Sequence, residues 1–259
     1  MTPSPQALLV VARRAALAAG DHVMTQLSRR TDTNKVERHD IKHKLDCEAQ
    51  EVATATIRAA FPDDAILGEE TADAPLPDTP VRWVIDPIDG TVNFTHGLPI
   101  WCCSVAAQIH GRSVAGAVWA PELKMLFEAH ADGPALCNGV VLHVSDTDRL
   151  DHALIHTGAD KGDFSRESFR FLNLIAGAAQ RPRVFGSAAL DICFVAAGKT
   201  DSYFEPGVFL WDVAAAGLIL ERAGGIGDVL RAYPGHKQAF LATTPNLHAA
   251  LRDLLLPLL

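Results

Sequence analysis

Residues 83–93 read WVIDPIDGTVN, the stretch that decides the fold. Its three opening apolar residues are typical of a buried β-strand. Pro87 lacks a backbone donor and Gly90 frees the backbone, so we expect this strand to end at Asp86. Asp86 and Asp89 then lie three positions apart on a tight loop at the strand end, where both carboxylates can face one small volume.

The carboxylates of Asp86 and Asp89 predict a metal site. Held close together without a cation they would repel each other, and one would take up a proton. Mg²⁺ resolves this conflict because it prefers oxygen ligands and combines carboxylates with water and phosphate. The backbone N–H groups of Gly90 and Thr91, with the Thr91 hydroxyl, offer a place for that phosphate. The alternative interpretation is a simple chain reversal, in which Asp-Pro and Asp-Gly pairs are common.

Two further acidic motifs accompany this stretch. Gly68-Glu69-Glu70 lies upstream, and Trp211-Asp212, with Gly224-Gly225 beyond it, lies downstream. Together the motifs resemble the inositol monophosphatase family of Mg²⁺-dependent, lithium-sensitive phosphatases, from about residue 40 to residue 225. The resemblance favours the metal site over the simple turn. It implies the fructose-bisphosphatase-like fold, a layered αβαβα sandwich that joins an α+β half to an α/β half.

The composition is that of an ordinary globular protein. The chain has 259 residues, of which 48% are hydrophobic and 21% charged, and 31 acidic against 23 basic residues give a net charge of −8. This charge argues against a nucleic-acid binder, but not against an anionic substrate, because bound metals would reverse the local sign. Five cysteines without a CxxC spacing predict reduced thiols, and the absence of a signal peptide or a membrane-length apolar run predicts a soluble, cytoplasmic protein.

Periodicity divides the chain into an N-terminal α+β domain, residues 1–145, and a C-terminal α/β domain, residues 146–259. The first should begin with a helix at Ser4-Pro5, in which Gly20 marks a bend or an end. It should continue with helix 46–60 and an antiparallel sheet beyond residue 102. In the second domain strands alternate with helices, which are predicted over residues 165–178, 187–198, 211–223 and 245–256.

The resemblance assigns metal ligands. Asp86 is expected to bridge two metal ions, and Glu69 to be shared by the first ion and an outer one. The Ile88 carbonyl is expected to complete the coordination of the first ion, and Asp89 and Asp212 to complete that of the second. Two ions about 3.5–4 Å apart would clamp the attacking and leaving oxygens of a phosphoryl transfer. The expected cofactor is therefore Mg²⁺, with two or three ions per site.

The resemblance also implies the catalytic residues. Thr91 is expected to orient the nucleophilic water, with Asp46 as its partner and proton acceptor, while Glu69 takes part through its metal. The Gly90 and Thr91 amides would cradle the phosphate. The expected reaction is direct attack of a metal-activated water without a covalent phosphoenzyme, at neutral to mildly alkaline pH, because the ligands must be ionised.

The substrate residues are expected in the second half of the chain. Glu205 matches the family's glutamate that contacts substrate hydroxyls, and Gly186, Ser187 and Ala188 match the segment that lines the leaving-group pocket. Ser187 would also be the nucleophile of a hydrolase triad, but it lacks a GxSxG motif, so a helix N-cap is the better interpretation.

The basic segment 30–45 has two interpretations, a solvated loop and a mobile lid over a phosphate site. His39 and His43 have an i, i+4 spacing that could suit zinc, but no third ligand is evident, so we expect solvated lid residues. Family members often carry a valine–threonine pair where this chain has residues 41–45. This departure leaves open whether a third metal ion binds.

The form DPIDGTVNF resembles inositol monophosphatases proper, so the predicted substrate is a small phosphomonoester, most directly inositol 1-phosphate. A carboxylate at position 205 would meet a hydroxyl or an ammonium equally well, so a histidinol-phosphate phosphatase or a broad phosphomonoesterase remains an alternative. A second alternative is a regulatory binding protein with little catalytic role. The family resemblance also implies a homodimer, with no direct contact to nucleic acid or membrane.

Overall fold

Helices and sheets alternate in five layers in the computed structural model of this chain. It describes residues 3–36, 41–72, 75–158 and 165–259, and of 33–36, 41–43 and 165–168 only the backbone. The helices are α1 (Pro5–Thr25), α2 (Lys44–Arg58), α3 (Thr91–His96), α4 (Ser165–Ala178), α5 (Ala188–Ala196), α6 (Leu210–Arg222) and α7 (Pro245–Leu255). The layer order α1/α2, sheet, α5/α6, sheet, α4/α7 confirms the predicted αβαβα sandwich.

The first sheet has the strand order β3-β4-β5-β6-β7-β8-β9, in which only β3 and β4 are parallel. A separate antiparallel pair, β1 and β2, precedes it. The strands are β1 (Thr33–Val36), β2 (Ile41–His43), β3 (Ala65–Gly68), β4 (Val81–Asp89), β5 (Cys102–Ile109), β6 (Arg112–Ala120), β7 (Met125–His130), β8 (Leu136–Cys137) and β9 (Val140–Val141). The antiparallel sheet predicted beyond residue 102 is therefore confirmed, and it includes the central strand β4.

The second sheet has the order β11-β10-β12-β14-β13. Its strands are β10 (Leu154–Thr157), β11 (Arg181–Arg183), β12 (Ser202–Phe209), β13 (Ile226–Ala232) and β14 (Lys237–Thr243). Strand β10 is parallel to β11 and β12, whereas β14 is antiparallel to both of its neighbours. The strands of the first sheet all precede residue 145 in the sequence, and those of the second sheet follow it. The hydrophobic core between the sheets contains residues from both, and the division into two domains stays a prediction.

Helix α1 begins as predicted, with the Ser4 hydroxyl accepting a hydrogen bond from the Ala7 N–H at 3.2 Å. The prediction that Gly20 ends this helix is wrong, because the helix continues to Thr25, and the alternative of a bend stays a prediction. A Cβ at Gly20 would lie 2.5 Å from Cδ1 of Trp119. Glycine is present here because the helix packs closely on the sheet.

The prediction that β4 ends at Asp86 is also wrong, since the strand runs on to Asp89. Its pairing with β5 shifts register between these two residues, and Pro87 lies in the irregularity, where no ladder donor is needed. On a regular strand, residues three apart point to opposite faces. The register shift instead allows both carboxylates to reach one volume.

Helix α6 lies close against the first sheet. A Cβ on Gly116 of β6 would stand 2.9 Å from the Cα of Ala215 on α6. Only a residue without a side chain permits this approach, and α6 carries Asp212 into the site described below.

Within the described ranges, no helix combines the length and the apolar character that crossing a membrane requires.

We expect Gly116→Ala to destabilise the protein by about 1–3 kcal/mol, because the added methyl group meets backbone that cannot move without shifting α6. Gly177→Ala is the matched control. Gly177 lies near the end of α4 with no atom within 4 Å of its Cβ position, so alanine there should stabilise by about 0.5 kcal/mol. Urea unfolding measures both changes, and equal stabilities would contradict the proposed close contact.

Candidate metal and phosphate site

Three carboxylates converge at one end of the space between the sheets. Asp86 and Asp89 on β4 and Asp212 on α6 each place one oxygen within 4.8 Å of the others. They line a cleft of about 250 Å³. Its walls also contain most of the predicted site residues: Glu69, Ile88, Gly90, Thr91, Gly186, Ala188 and Glu205.

The Asp86 carboxylate fits a cation. Its Oδ1 is buried and has no hydrogen-bond partner among the described residues. Burial raises the pKa of Asp86 well above its ordinary value, and the negative charges of Glu69, Asp89 and Asp212 raise it further. A donor set made only of oxygens, three of them from acids, suits a hard divalent ion such as Mg²⁺.

Asp89 is held by the beginning of α5. Its Oδ2 accepts hydrogen bonds from the Ser187 hydroxyl at 2.6 Å and the Ala189 N–H at 2.8 Å, and its Oδ1 accepts one from the Ala188 N–H at 3.1 Å. Burial raises the pKa of Asp89, while these donors lower it. Ser187 is the N-cap residue of α5, as predicted, but its hydroxyl makes no cap hydrogen bond and donates to Asp89 instead.

Asp212 is the third residue of α6, and its Oδ2 accepts a hydrogen bond from the Phe209 N–H at 2.7 Å. The partial positive charge at a helix N-terminus stabilises such an acid. The stacked rings of Phe209 and Trp211, 4.8 Å apart and nearly parallel, pack at the same turn. Thus α6 presents Asp212 toward Asp86, and the two carboxylates bring oxygens within 4.8 Å of each other.

Thr91 opens the short helix α3 beside the acids. Its hydroxyl donates to the Ile88 carbonyl at 2.9 Å and lies 3.5 Å from Oδ1 of Asp46, a buried residue in the first turn of α2. Gly90, the N-cap residue, has a φ of +92°, and a Cβ there would lie 2.9 Å from the Ile100 carbonyl oxygen. The backbone at Gly90 and Thr91 can therefore approach a bound anion closely.

The turn that carries Glu69 is fixed by a residue that the sequence analysis missed. The Gln50 side chain accepts from the Glu70 N–H at 3.0 Å and donates to the Thr71 hydroxyl at 3.1 Å. A Cβ on Gly68 would clash with this amide, at 2.1 Å from its Oε1. No local signal distinguishes Gln50 from a surface glutamine of a helix. Glu70 itself accepts a weak hydrogen bond from the Cys47 thiol at 3.6 Å.

Glu205 lines the same cleft, next to two residues for which the sequence predicted no role. The buried Tyr203 hydroxyl donates to Glu205 Oε2 at 2.7 Å, and the Glu205 charge contributes to a Tyr203 pKa well above its ordinary value, after burial. The carboxylate rests on Gly158, where a Cβ would overlap it at 1.7 Å from Oε2. The Tyr-Phe-Glu spacing was visible in the sequence, since residues two apart on a strand share a face.

Asn93 joins the two halves of the cleft wall. Its Nδ2 donates to the Ile100 carbonyl at 2.9 Å and to the Phe185 carbonyl at 2.6 Å. The second bond holds the segment before Gly186 against α3. Asn93 is the last residue of the 83–93 stretch, and the sequence predicted no role for it.

The central part of the predicted lid lies outside the described residues. Arg38, His39 and Asp40 lie outside the described residues, and so do the side chains of Lys35 and His43. Of the predicted site residues that the structure describes, Asp46 and Ser187 do not line the cleft. They lie behind it, in contact with Thr91 and Asp89 respectively.

Comparison with known proteins places the chain among phosphatase relatives. Residues 4–254 match the model of the inositol monophosphatase family. Nus factor SuhB of Pasteurella multocida is 38% identical over 224 residues, which cover 85% of this chain and 84% of that protein. The inositol monophosphatase of Dictyostelium discoideum is 37% identical over 203 residues, which cover 76% of this chain and 70% of that protein. The solved inositol monophosphatase structure from Anabaena superposes with a TM-score of 0.84 at 32% identity, covering 97% of this chain and 96% of that one.

We expect Ser187→Ala to weaken Mg²⁺ binding by roughly tenfold, because a hydrogen bond to a charged group contributes about 1.5 kcal/mol. Loss of this donor raises the pKa of Asp89 further, so protons compete better with the metal and the loss should be larger at pH 6.5 than at pH 8. Calorimetry with Mg²⁺ at both pH values measures it. Ser104→Ala is the control, since this equally buried serine donates to the Trp211 carbonyl; equal losses in both variants would contradict the role of Ser187.

Proposed function

The chain belongs to the inositol monophosphatase family, and we propose that it is a Mg²⁺-dependent phosphomonoesterase that hydrolyses a small polyol phosphate, with inositol 1-phosphate as the preferred substrate. The observation that carries the proposal is the cluster of Asp86, Asp89 and Asp212 beside the Gly90–Thr91 backbone. Acids that repel each other are assembled where a phosphate can reach them.

Five groups would hold the metal ions: the carboxylates of Glu69, Asp86, Asp89 and Asp212, and the Ile88 carbonyl. We propose two Mg²⁺ ions, with the third left open. Bound there, they would neutralise phosphate charge and lower the pKa of the water that attacks phosphorus. Family membership also supports sensitivity to lithium.

The remaining chemistry falls to the residues of α2 and α3. The Gly90 and Thr91 amides would bind phosphate oxygens, and the Thr91 hydroxyl would orient the attacking water. Asp46, within reach of Thr91, would accept the proton. The new P–O bond would form as the ester P–O bond breaks, without a covalent phosphoenzyme. The leaving alkoxide would take up a proton from water and depart as the alcohol, while Asp46 returns its proton to solvent.

The leaving group would bind at the other end of the cleft. There Glu205 offers a carboxylate to hydroxyl groups, and Gly186 and Ala188 form the wall, with Ser187 behind them on Asp89. A histidinol phosphate ammonium would satisfy Glu205 equally well, and a broad range of small esters is the other alternative. A homodimer and a cytoplasmic location are further proposals that rest on the family alone.

The relative named Nus factor SuhB favours a second candidate, a regulatory binding role with little catalysis. The acid cluster argues against it as the sole function, since buried carboxylates that repel each other are costly to keep without a metal. Asp89→Asn separates the candidates, because a regulatory role would survive the loss of hydrolysis.

Phosphate release tests the primary proposal. We expect turnover of inositol 1-phosphate to exceed that of histidinol phosphate, fructose 1,6-bisphosphate and 3′-phosphoadenosine 5′-phosphate, to stop with EDTA and to fall with lithium. Asp86→Asn should lower kcat by 10²-fold or more, because removal of one carboxylate weakens the metal site. Preference for another ester would change the substrate only, whereas metal-independent turnover would refute the mechanism.

Tyr203→Phe tests the leaving-group end. Loss of its hydroxyl removes a hydrogen bond that orients the Glu205 carboxylate, so we expect KM for inositol 1-phosphate to rise about 5- to 10-fold, consistent with about 1–1.5 kcal/mol for one hydrogen bond. Hydrolysis of p-nitrophenyl phosphate, which has no hydroxyl for Glu205, should be unchanged. Tyr233→Phe, at the chain's other tyrosine, is the control. Equal effects on both substrates would contradict the role of Tyr203 in substrate selection.

A further inference from the structure

Behind Asp89 lies a buried ionisable pair that the proposed mechanism does not use. His156 on β10 and Asp191 on α5 approach to 2.5 Å between Nδ1 and Oδ1, and both side chains are at most 2% exposed. The imidazole packs edge-on against the ring of Phe185, with 4.6 Å between ring centroids. Its Nε2 is buried and has no hydrogen-bond partner among the described residues.

This arrangement is a costly way to join a helix to a sheet. Burial raises the pKa of Asp191 to about 6, and the pair leaves one ring nitrogen unsatisfied. Replacing a buried pair with packed apolar residues is often neutral or stabilising. Stability alone therefore gives no reason for a histidine and an aspartate at these positions, whereas a directional contact does.

Helix α5 needs such a contact. Its residues are almost all buried and apolar, so hydrophobic packing does little to fix the rotation of the helix about its own axis. Asp191 is the only residue of α5 with a carboxylate or a basic side chain. Its hydrogen bond to His156 is directional, and a polar group in an apolar interface is a known means of fixing register.

The rotation of α5 matters because its first turn holds Asp89. The Ala188 and Ala189 N–H groups donate to the two Asp89 oxygens, and Asp191 follows two residues later on the same turn. A change in the helix orientation would move these amides away from the carboxylate. The same strand position links to the other end of the cleft, since His156 pairs in register with Tyr203, which holds Glu205.

We propose that His156 and Asp191 are positioning residues whose hydrogen bond fixes the orientation of α5 and thereby keeps Asp89 aligned for metal binding. The inference rests on the proposed function, in which Asp89 is a metal ligand. It predicts that the pair sets the affinity for Mg²⁺ separately from its effect on stability. Partners of metal ligands commonly change metal affinity by 10- to 100-fold when they are replaced.

The test compares stability with Mg²⁺ affinity in the full-length chain. The double variant His156→Phe with Asp191→Leu removes both polar groups together, so we expect a midpoint of urea unfolding close to that of the wild type. Mg²⁺ affinity, measured by calorimetry without substrate, should nevertheless fall about tenfold. A double variant that binds Mg²⁺ like the wild type would overturn the inference.

Two single variants complete the design. Asp191→Asn keeps an acceptor for the imidazole N–H, so its Mg²⁺ affinity should stay within about twofold of the wild-type value. A tenfold loss would show that the charge of Asp191, and not the orientation of α5, sets the affinity. That result would overturn the inference even if the double variant failed to fold. Cys193→Ala is the control on the same helix, with a buried side chain outside the pair, and should lower stability but not Mg²⁺ affinity. If the wild type itself bound no Mg²⁺, the proposed function would fall first, and the inference with it.

Discussion

The confinement of three carboxylates to a space of less than 5 Å is the constraint on which the rest of the structure depends. Each acid would be more stable in water, and their mutual repulsion adds to the cost of burial. The fold offsets part of this cost with fixed dipoles. The first turn of α5 donates to Asp89, and the first turn of α6 stabilises Asp212. Asp86, between them, has the least compensation, and it is there that a cation contributes most.

The fold meets this constraint by bringing elements together from distant parts of the chain. The acids of β4 are about 120 residues from Asp212, and only the layered arrangement, with α5 and α6 between two sheets, brings them into contact. Close approach depends on missing side chains: Gly116 lets α6 reach the first sheet, Gly68 admits Gln50 behind Glu69, and Gly158 admits Glu205. These glycines therefore permit the close packing that the site requires, while the helix dipoles stabilise its buried charges.

The local motifs made much of this site predictable. The spacing of Asp86 and Asp89 and the position of Asp212 at a helix start were readable, because they reflect local backbone geometry. The predicted end of β4 was wrong because Pro87 lies in a register shift. In the sequence alone, such a proline cannot be distinguished from one that ends a strand. His156 and Asp191 were missed for a different reason: they are 35 residues apart, and only the packing of α5 on β10 gives them a joint role.

The two ends of the cleft differ in how they are held, and this difference bears on substrate choice. At the metal end, Asp89 and Asp212 accept hydrogen bonds from backbone N–H groups at the beginnings of α5 and α6, and Asp89 also accepts one from the Ser187 hydroxyl. At the other end, Glu205 accepts a hydrogen bond from the Tyr203 hydroxyl and occupies the space left by Gly158. A few substitutions there would reshape the leaving-group pocket while the acids stayed in place. If the leaving group binds at Glu205, as we propose, a change of phosphate ester would require changes at these few contacts and not at the acids.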